Sequence, residues 1–184
     1  GKPGRNAFVQ VVGRMKDEGA IDFVIANGEN AASGRGPAPE MANALLNAGA
    51  DVITLGDHAW DSKEMVASID LESHIIRPAN FSKGAPGKGW VRVDTPEGPI
   101  VVMQLIGRVF TQPSYDCPFQ MADRMLKGEL GNDKVIFVDM HGEASSERMA
   151  MGRFLDGRVS AVFGTHTHCQ TSDETVFPNG TAYI

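Results

Sequence analysis

Gly164-Thr165-His166-Thr167-His168 directly follows an apolar run, Val159 to Phe163, and places two imidazoles, one residue apart, where a buried strand gives way to a loop. Side chains repeat every two residues in extended backbone, so we expect His166 and His168 to point the same way. Two histidines so arranged are typical of a metal site. The alternative is a pair of unrelated polar residues in a loop.

Other polar residues occupy the same kind of position elsewhere in the chain. His58 follows the run that begins at Val52, and His141 follows the run that begins at Val135. Glu29 and Asn30 come after a third apolar stretch, residues 21–26. Because strand ends in one sheet converge on one edge, these side chains are predicted to form a ligand cluster.

Hydrophobic periodicity and turn residues predict the elements that carry this cluster. Helices are expected over residues 5–18, 40–48, 61–69, 119–127 and 145–154. Strands are expected over residues 21–26, 51–55, 75–76, 90–94, 100–105, 134–140 and 159–163, with a closing hairpin at 176–183 and an irregular segment at 113–118. This order predicts one α/β domain over residues 1–184, with a layered mixed β-sheet core flanked by helices.

Side-chain patterns define the inward faces and the starts of several helices. The first helix is predicted to bury Ala7, Phe8, Val11, Val12 and Met15, and the second Met41, Ala44, Leu45 and Ala48. The helix after residue 61 has Asp61 or Ser62 as its cap, and the helix after residue 144 has Ser145 or Ser146.

Composition excludes several classes of partner. The chain has 184 residues, is 42% hydrophobic, and carries a formal net charge of −6 without a block of like charge. These features argue against duplex nucleic acid and anionic membranes as partners. Cys117 and Cys169 do not form a CxxC pair, and no signal peptide or long apolar span is visible, so we expect a reduced, cytoplasmic protein.

The candidate ligands share oxygen and imidazole chemistry and come from separate loops: Glu29, Asn30, Asp57, His141, His166 and His168. This mixture suits Fe, Mn or Zn better than the all-oxygen set of calcium or the thiolates of a structural zinc site. Six donors exceed the needs of one catalytic ion. We therefore expect two divalent or mixed-valence transition-metal ions about 3.5–4 Å apart, an arrangement that serves in-line displacement at phosphorus.

The same residues carry a resemblance to a known family. The stretches at 28–30, 56–58 and 164–168, together with His141, resemble the ligand blocks of the calcineurin-like metallophosphoesterases. The stretches at 27–32, 77–81, 86–89 and 164–168 resemble the bacterial branch that hydrolyses 2′,3′-cyclic nucleotides, and the similarity runs along essentially the whole chain. The resemblance implies a metallophosphoesterase fold and a dinuclear phosphodiesterase.

The resemblance also implies a role for each candidate residue. Glu29 would bridge the ions, with Asn30 and His168 on the first, while the second would be held by Asp57, His141 and His166. A metal-bound hydroxide would attack phosphorus, and His58 would protonate the leaving oxygen. The alternative function is a non-catalytic or weakly active regulatory protein that binds metal or nucleotide. An amide or lactam hydrolase would need Asp-His soon after the two histidines, where Cys169-Gln170 stands.

The chain departs from the family pattern in two ways. Gly56-Asp57-His58 stands where the family has Gly-Asn-His, so a carboxylate replaces an amide ligand. The family also begins with a strand ending in Gly-Asp, whose aspartate binds the first ion, whereas this chain begins at Gly1, just after that motif. It stops at Ile184, where the family continues. We therefore expect a fragment that lacks the first strand and a C-terminal segment.

Several other residues could have either of two roles. His58 is expected to be the general acid, because imidazole has an ordinary pKa of about 6.5, although it could instead orient Asp57. Arg77 and Arg108 could clamp the phosphate of the substrate or pair with carboxylates of the protein. We expect the partner to be a small cyclic nucleotide or another phosphodiester, and the protein to be a homo-oligomer.

The remaining polar candidates are predicted to be structural. His74 has no neighbouring ligand in sequence and is expected to make a hydrogen bond only. Cys169 should be a buried thiol turned away from the ions by strand alternation. Glu143 should support the ligands without binding metal.

Overall fold

The computed structural model describes residues 1–112 and 115–184, and their contacts divide them into two compact units. The first unit comprises residues 1–77 and 86–88; the second comprises residues 78–85 and the described part of 89–184. The single domain stays a prediction. Of the predicted irregular segment 113–118, residues 113 and 114 lie outside the described residues.

The first unit is built around a parallel three-stranded sheet in the order β1-β2-β3. Its elements are α1 (Lys2–Asp17), β1 (Ile25–Asn27), α2 (Pro39–Asn47), β2 (Val52–Thr54), α3 (Lys63–Ser68) and β3 (Ile75–Ile76), with 3-10 turns at Asp57–Trp60 and Ile69–Leu71. Helices connect successive parallel strands, as parallel pairing requires. The carboxyl ends of β1 and β2 therefore lie at the same edge of the sheet, and the loops that follow them begin next to each other.

Burial on both faces explains why β2 is continuously apolar. Val52, Ile53 and Thr54 are all buried, as is typical of a parallel strand covered by helices. The start of α3 also follows the sequence, because the Ser62 side chain accepts a hydrogen bond from the Met65 N–H at 3.1 Å. The Ser62 cap predicted for this helix is thus confirmed.

The predicted inward faces of the first two helices are partly wrong. Val12 is the buried residue of α1, whereas Val11 is 42% exposed. In α2, Leu45 is buried as expected, but its partner is Ala42 and not Ala44, which is exposed. Helical spacing gave the correct elements, while the direction of each face depends on what the helix packs against.

The second unit contains a mixed six-stranded sheet in the order β4-β5-β6-β7-β9-β8. Its elements are β4 (Trp90–Val93), β5 (Ile100–Ile106), α4 (Pro118–Lys127), β6 (Val135–His141), α5 (Ser145–Phe154), β7 (Ala161–Thr165), β8 (Thr175–Val176) and β9 (Ala182–Tyr183). The strands β5, β6, β7 and β9 are parallel, and antiparallel partners, β4 and β8, lie at the two ends of the order. The parallel ends of β5, β6 and β7 thus share one edge.

One apolar core supports this sheet, and it includes Met103, Leu105, Val138, Met140 and Met151. The predicted cap of α5 is wrong by one position, because Ala144 is the N-cap and Ser145 is already the first helical residue. The α/β class with a mixed sheet is confirmed, although the strands of the described residues form two sheets where one was expected. In the part of the chain that the structure describes, no helix is long and apolar enough to cross a membrane.

Candidate metal centre

The first group of candidate ligands lies in the loops after β1 and β2. Glu29 is 1% exposed, and its two carboxylate oxygens accept hydrogen bonds from the His58 backbone N–H and the Asn30 side-chain amide, both at 3.1 Å. A carboxylate oxygen of Asp57 lies within 4.8 Å of one on Glu29. Two carboxylates brought this close repel each other unless a cation or a proton lies nearby.

His58 is held by carboxylates and remains accessible to solvent. Its Nδ1 lies 2.9 Å from the Asp61 carboxylate, and its Nε2 lies 3.8 Å from that of Asp57. The side chain is 39% exposed. Asp61 therefore fixes the orientation of the ring and leaves Nε2 as the atom that can exchange a proton with a ligand. Both interpretations of His58, as general acid and as the residue that orients Asp57, stay predictions.

The second group of ligands is the imidazole pair His141 and His166. His141 is the last residue of β6 and is fully buried, while His166 follows β7 and is partly exposed. His166 Nδ1 lies 3.1 Å from His141 Nε2, and the rings meet edge to face. On its other side, His166 Nε2 lies 3.0 Å from Glu143 Oε2. Glu143 thus supports a candidate ligand, as the sequence predicted.

The backbone of the two-histidine stretch differs from the extended conformation expected of it. Strand β7 ends at Thr165, and His166 and His168 have φ values of 103° and 53°. The period of two therefore does not apply, because both residues lie in the left-handed region beyond the strand. His168 is exposed and is not among the donor atoms grouped within 4.8 Å of His141 and His166 in the described residues.

Arg148 of α5 fastens the loops that carry these histidines. Its guanidinium is largely buried and donates hydrogen bonds to the carbonyl oxygen of Gly142 and the hydroxyl of Thr167, with a longer contact to the carbonyl of Thr165. Gly164 gives the side chain room, because a Cβ there would lie 2.7 Å from Arg148 Cδ. Hydrogen bonds from one buried arginine thus link the two loops.

The two arginines proposed to contact substrate have different surroundings. Arg77 is buried, and its Nε and Nη2 donate to the carbonyl oxygens of Pro86 and Gly87. Burial lowers the pKa of Arg77 from its ordinary value, and Asp70 opposes this shift. The Arg108 side chain is exposed, while its backbone N–H donates to the carboxylate of Glu147.

Two structural predictions have opposite outcomes. His74 Nδ1 lies 2.8 Å from the carbonyl oxygen of Asp51, which confirms the expected hydrogen bond. Cys169 is exposed, so the prediction of a buried thiol is wrong. The reason is again local: the alternation assumed for this residue ends with β7 at Thr165.

The sequence did not predict the polar residues that are linked by hydrogen bonds to Nδ1 of His141. Its Nδ1 lies 2.8 Å from Thr165 Oγ1, which in turn donates to the carboxylate of Asp139. Gln104 donates to the other oxygen of that carboxylate. Gln104 and Asp139, polar residues inside the apolar runs of β5 and β6, could have indicated these contacts, because buried polar side chains are almost always hydrogen-bonded.

The spacing of the two imidazole nitrogens fits a transition-metal ion. Adjacent ligands about 2.0–2.1 Å from one ion lie about 2.8–3.4 Å apart in tetrahedral or octahedral geometry, and the imidazole nitrogens of His141 and His166 fall in this range at 3.1 Å. In the first unit, Glu29 and Asp57 offer carboxylate oxygens, which transition-metal ions also accept as ligands. Each group alone offers fewer donors than the four that a closed zinc site uses.

Comparisons with known proteins show the family to which the chain is similar. The family model described as "YmdB-like protein" matches residues 1–184. A 2′,3′-cyclic-nucleotide 2′-phosphodiesterase from Bacillus subtilis (strain 168) is 45% identical to the chain over 184 residues, which are 100% of this chain and 69% of that relative.

Solved structures are also similar. The crystal structure of a hypothetical protein from Thermus thermophilus has a TM-score of 0.89 and 42% identity, covering 98% of this chain and 69% of that one. The crystal structure of a novel phosphatase from Mycoplasma pneumoniae has a TM-score of 0.89 and 30% identity, covering 98% of this chain and 66% of that one.

Proposed function

Because the chain belongs to the YmdB-like protein family, we propose that it is a metal-dependent phosphodiesterase acting on 2′,3′-cyclic nucleotides. The observation that carries the proposal is the pair of imidazole nitrogens of His141 and His166, set 3.1 Å apart as neighbouring ligands would be. The name of the Bacillus subtilis relative supports the choice of substrate.

We propose that two transition-metal ions, Fe or Mn before Zn, are held by the six predicted ligands: Glu29, Asn30, Asp57, His141, His166 and His168. The mixture of carboxylate, amide and imidazole supports this choice of metals. Glu29 is the bridging candidate, since both of its oxygens are oriented by hydrogen bonds. When bound, such ions would activate water and neutralise charge on the phosphoryl oxygens.

The chain's own residues supply the remaining steps. His58 gives a proton from Nε2 to the leaving ribose oxygen, while Asp61 holds Nδ1 and keeps the ring in place. Arg108 binds a phosphate oxygen with its exposed guanidinium. Arg77 contributes less directly, because two of its nitrogens already hold the carbonyl groups of Pro86 and Gly87.

The experiment measures bound metal by elemental analysis and hydrolysis of 2′,3′-cyclic AMP for the protein and for His166→Ala. We expect His166→Ala to lose metal and turnover, because an imidazole is removed from the ligand set. His74→Gln is the matched control, since the ring of His74 is hydrogen-bonded to a backbone carbonyl, and this variant should retain both.

Unchanged metal content and rate in His166→Ala would refute the proposal. Metal binding by the unaltered chain without turnover of any phosphodiester would instead favour the regulatory alternative. Location in the cytoplasm and assembly into a homo-oligomer stay predictions.

A further inference from the structure

A chain of hydrogen bonds extends from the imidazole of His141 into the sheet of the second unit. Thr165 Oγ1 lies 2.8 Å from His141 Nδ1 and donates to Asp139 Oδ1 at 2.5 Å. Gln104 Nε2 donates to Asp139 Oδ2 at 2.9 Å. Gln104, Asp139 and His141 are each fully buried.

Strand register determines these contacts. Gln104 is paired with Asp139 across β5 and β6, and His141 is paired with Thr165 across β6 and β7. The parallel arrangement therefore brings a side-chain amide, a carboxylate, a hydroxyl and an imidazole into one continuous row. Neither the sequence spacing nor the position of any one strand would produce this row alone.

The donor and the acceptor of each hydrogen bond in this row are determined. A carboxylate can only accept hydrogen bonds, and Asp139 accepts on both oxygens, from Gln104 and from Thr165. A hydroxyl has a single proton, so once Thr165 donates it to Asp139 it can only accept from His141. The proton of the His141 imidazole must then be on Nδ1, which leaves Nε2 with its lone pair.

We infer that Gln104, Asp139 and Thr165 are positioning residues that fix His141 in the tautomer protonated on Nδ1. The tautomer matters because Nε2 is the nitrogen that faces His166, and metal binds the unprotonated nitrogen. Glu143 does the same for His166 from the opposite side, since it accepts at Nε2 and leaves Nδ1 with its lone pair. The tautomer itself is inferred from the hydrogen bonds, while its role in metal binding rests on the proposed function.

The direct test is a long-range ¹H–¹⁵N correlation spectrum of the metal-free protein with labelled histidine, which identifies the protonated nitrogen. It is recorded well above the ordinary imidazole pKa of about 6.5, so that the rings are neutral. We expect His141 to show the Nδ1–H tautomer alone. An Nε2–H tautomer would overturn the inference, even if the protein hydrolyses cyclic nucleotides.

Variants of Thr165 test whether its hydroxyl fixes the tautomer of His141. Thr165→Val removes the acceptor at nearly constant volume, so the Nε2–H tautomer should appear and Mn²⁺ affinity should fall by about 10- to 100-fold. Thr165→Ser keeps the hydroxyl and should retain both the Nδ1–H tautomer and the Mn²⁺ affinity of the unaltered protein. The titration uses Mn²⁺ alone, so it does not depend on turnover.

Thr181→Val is the matched control, because Thr181 is a threonine of the same unit whose hydroxyl is also hydrogen-bonded, in this case to the Val159 carbonyl at 2.7 Å, and it is fully buried. It should lower stability while leaving the His141 tautomer and the Mn²⁺ affinity unchanged. Equal Mn²⁺ affinity in Thr165→Val and in the unaltered protein would overturn the inference. Loss of hydrolysis with the expected tautomer would count against the proposed function alone.

Discussion

His58 has the most specific single-residue role in the proposed reaction. Its ring is oriented by Asp61 at 2.9 Å and is partly exposed, which suits a group that must give up and regain a proton. We expect His58→Ala to keep its metal but to lose turnover of 2′,3′-cyclic AMP by about 10²- to 10⁴-fold, the usual contribution of a general acid.

The leaving group distinguishes this role from a structural one. Nitrophenolate departs without a proton, so the loss in His58→Ala should be much smaller for a nitrophenyl phosphodiester. The measurement is the ratio of kcat values for the two substrates in both proteins. The same loss on both substrates would assign His58 to orientation of Asp57.

His166 shows that the candidate centre stores backbone strain. A non-glycine residue at φ 103° is uncommon, and such conformations cost on the order of 1–3 kcal/mol. The contact of His166 Nε2 with Glu143 at 3.0 Å offsets part of this cost. The backbone turn is what directs the His166 imidazole toward His141, so the strain is part of the ligand geometry.

Helix α5 governs the candidate ligands of the second unit through Arg148. We expect Arg148→Met to lower the free energy of unfolding by about 1–3 kcal/mol, because buried carbonyl groups lose their donor. Metal affinity should fall as well, since Thr165 and Thr167 flank His166. Urea unfolding and Mn²⁺ titration measure the two effects.

Arg153→Met on the same helix is the comparison for that variant. Arg153 is exposed and lies over the ring of Phe177 at 4.6 Å. Its replacement should cost little stability and leave metal affinity unchanged. If both variants bind Mn²⁺ equally well, Arg148 does not position the ligands.

The edge strand β4 is tied to the segment before β6 by an ion pair that depends on pH. Arg92 donates to both carboxylate oxygens of Asp133, at 2.7 and 2.6 Å. These hydrogen bonds from Arg92 lower the pKa of Asp133 from its ordinary value of 3.8, although burial opposes them. A carboxyl group with a lowered pKa stabilises the fold above its unfolded pKa and loses that contribution as pH falls through the folded pKa.

We therefore expect Asp133→Asn to be less stable than the unaltered protein at pH 7, with the difference disappearing as the pH drops below about 4. Urea midpoints measured across this range test the expectation. Asp22→Asn, at an exposed aspartate, should show little difference from the unaltered protein at neutral pH. A difference for Asp133→Asn that stays constant with pH would contradict the assigned cause.

For the whole molecule, metal binding should appear as stability. A ligand at 100 times its dissociation constant adds about 2.7 kcal/mol when it binds only the folded state. For a chain of this size we expect Mn²⁺ to raise Tm by roughly 5–10 °C, and a chelator to reverse the rise. The measurement is a thermal melt with and without Mn²⁺, and a similar rise in His166→Ala would contradict the predicted ligand set.

Local sequence patterns were enough to identify the side chains that follow the ends of strands. Apolar runs before Glu29, Asp57, His141 and His166 located the strands, and the residue types after them indicated transition-metal chemistry. These signals are local, because strand formation and metal-ligand character both depend on neighbouring residues. The α/β class and the hairpin of β4 and β5 followed from the same kind of evidence.

The orientation of those side chains depends on tertiary contacts. The left-handed backbone at His166, the exposure of Cys169 and the row from Gln104 through Asp139 to Thr165 depend on strand register and loop anchoring. Residues 35 positions apart in sequence become paired neighbours only when β5 and β6 align. Periodicity cannot report such contacts, because it describes which face a residue occupies and not which partner it meets across the sheet.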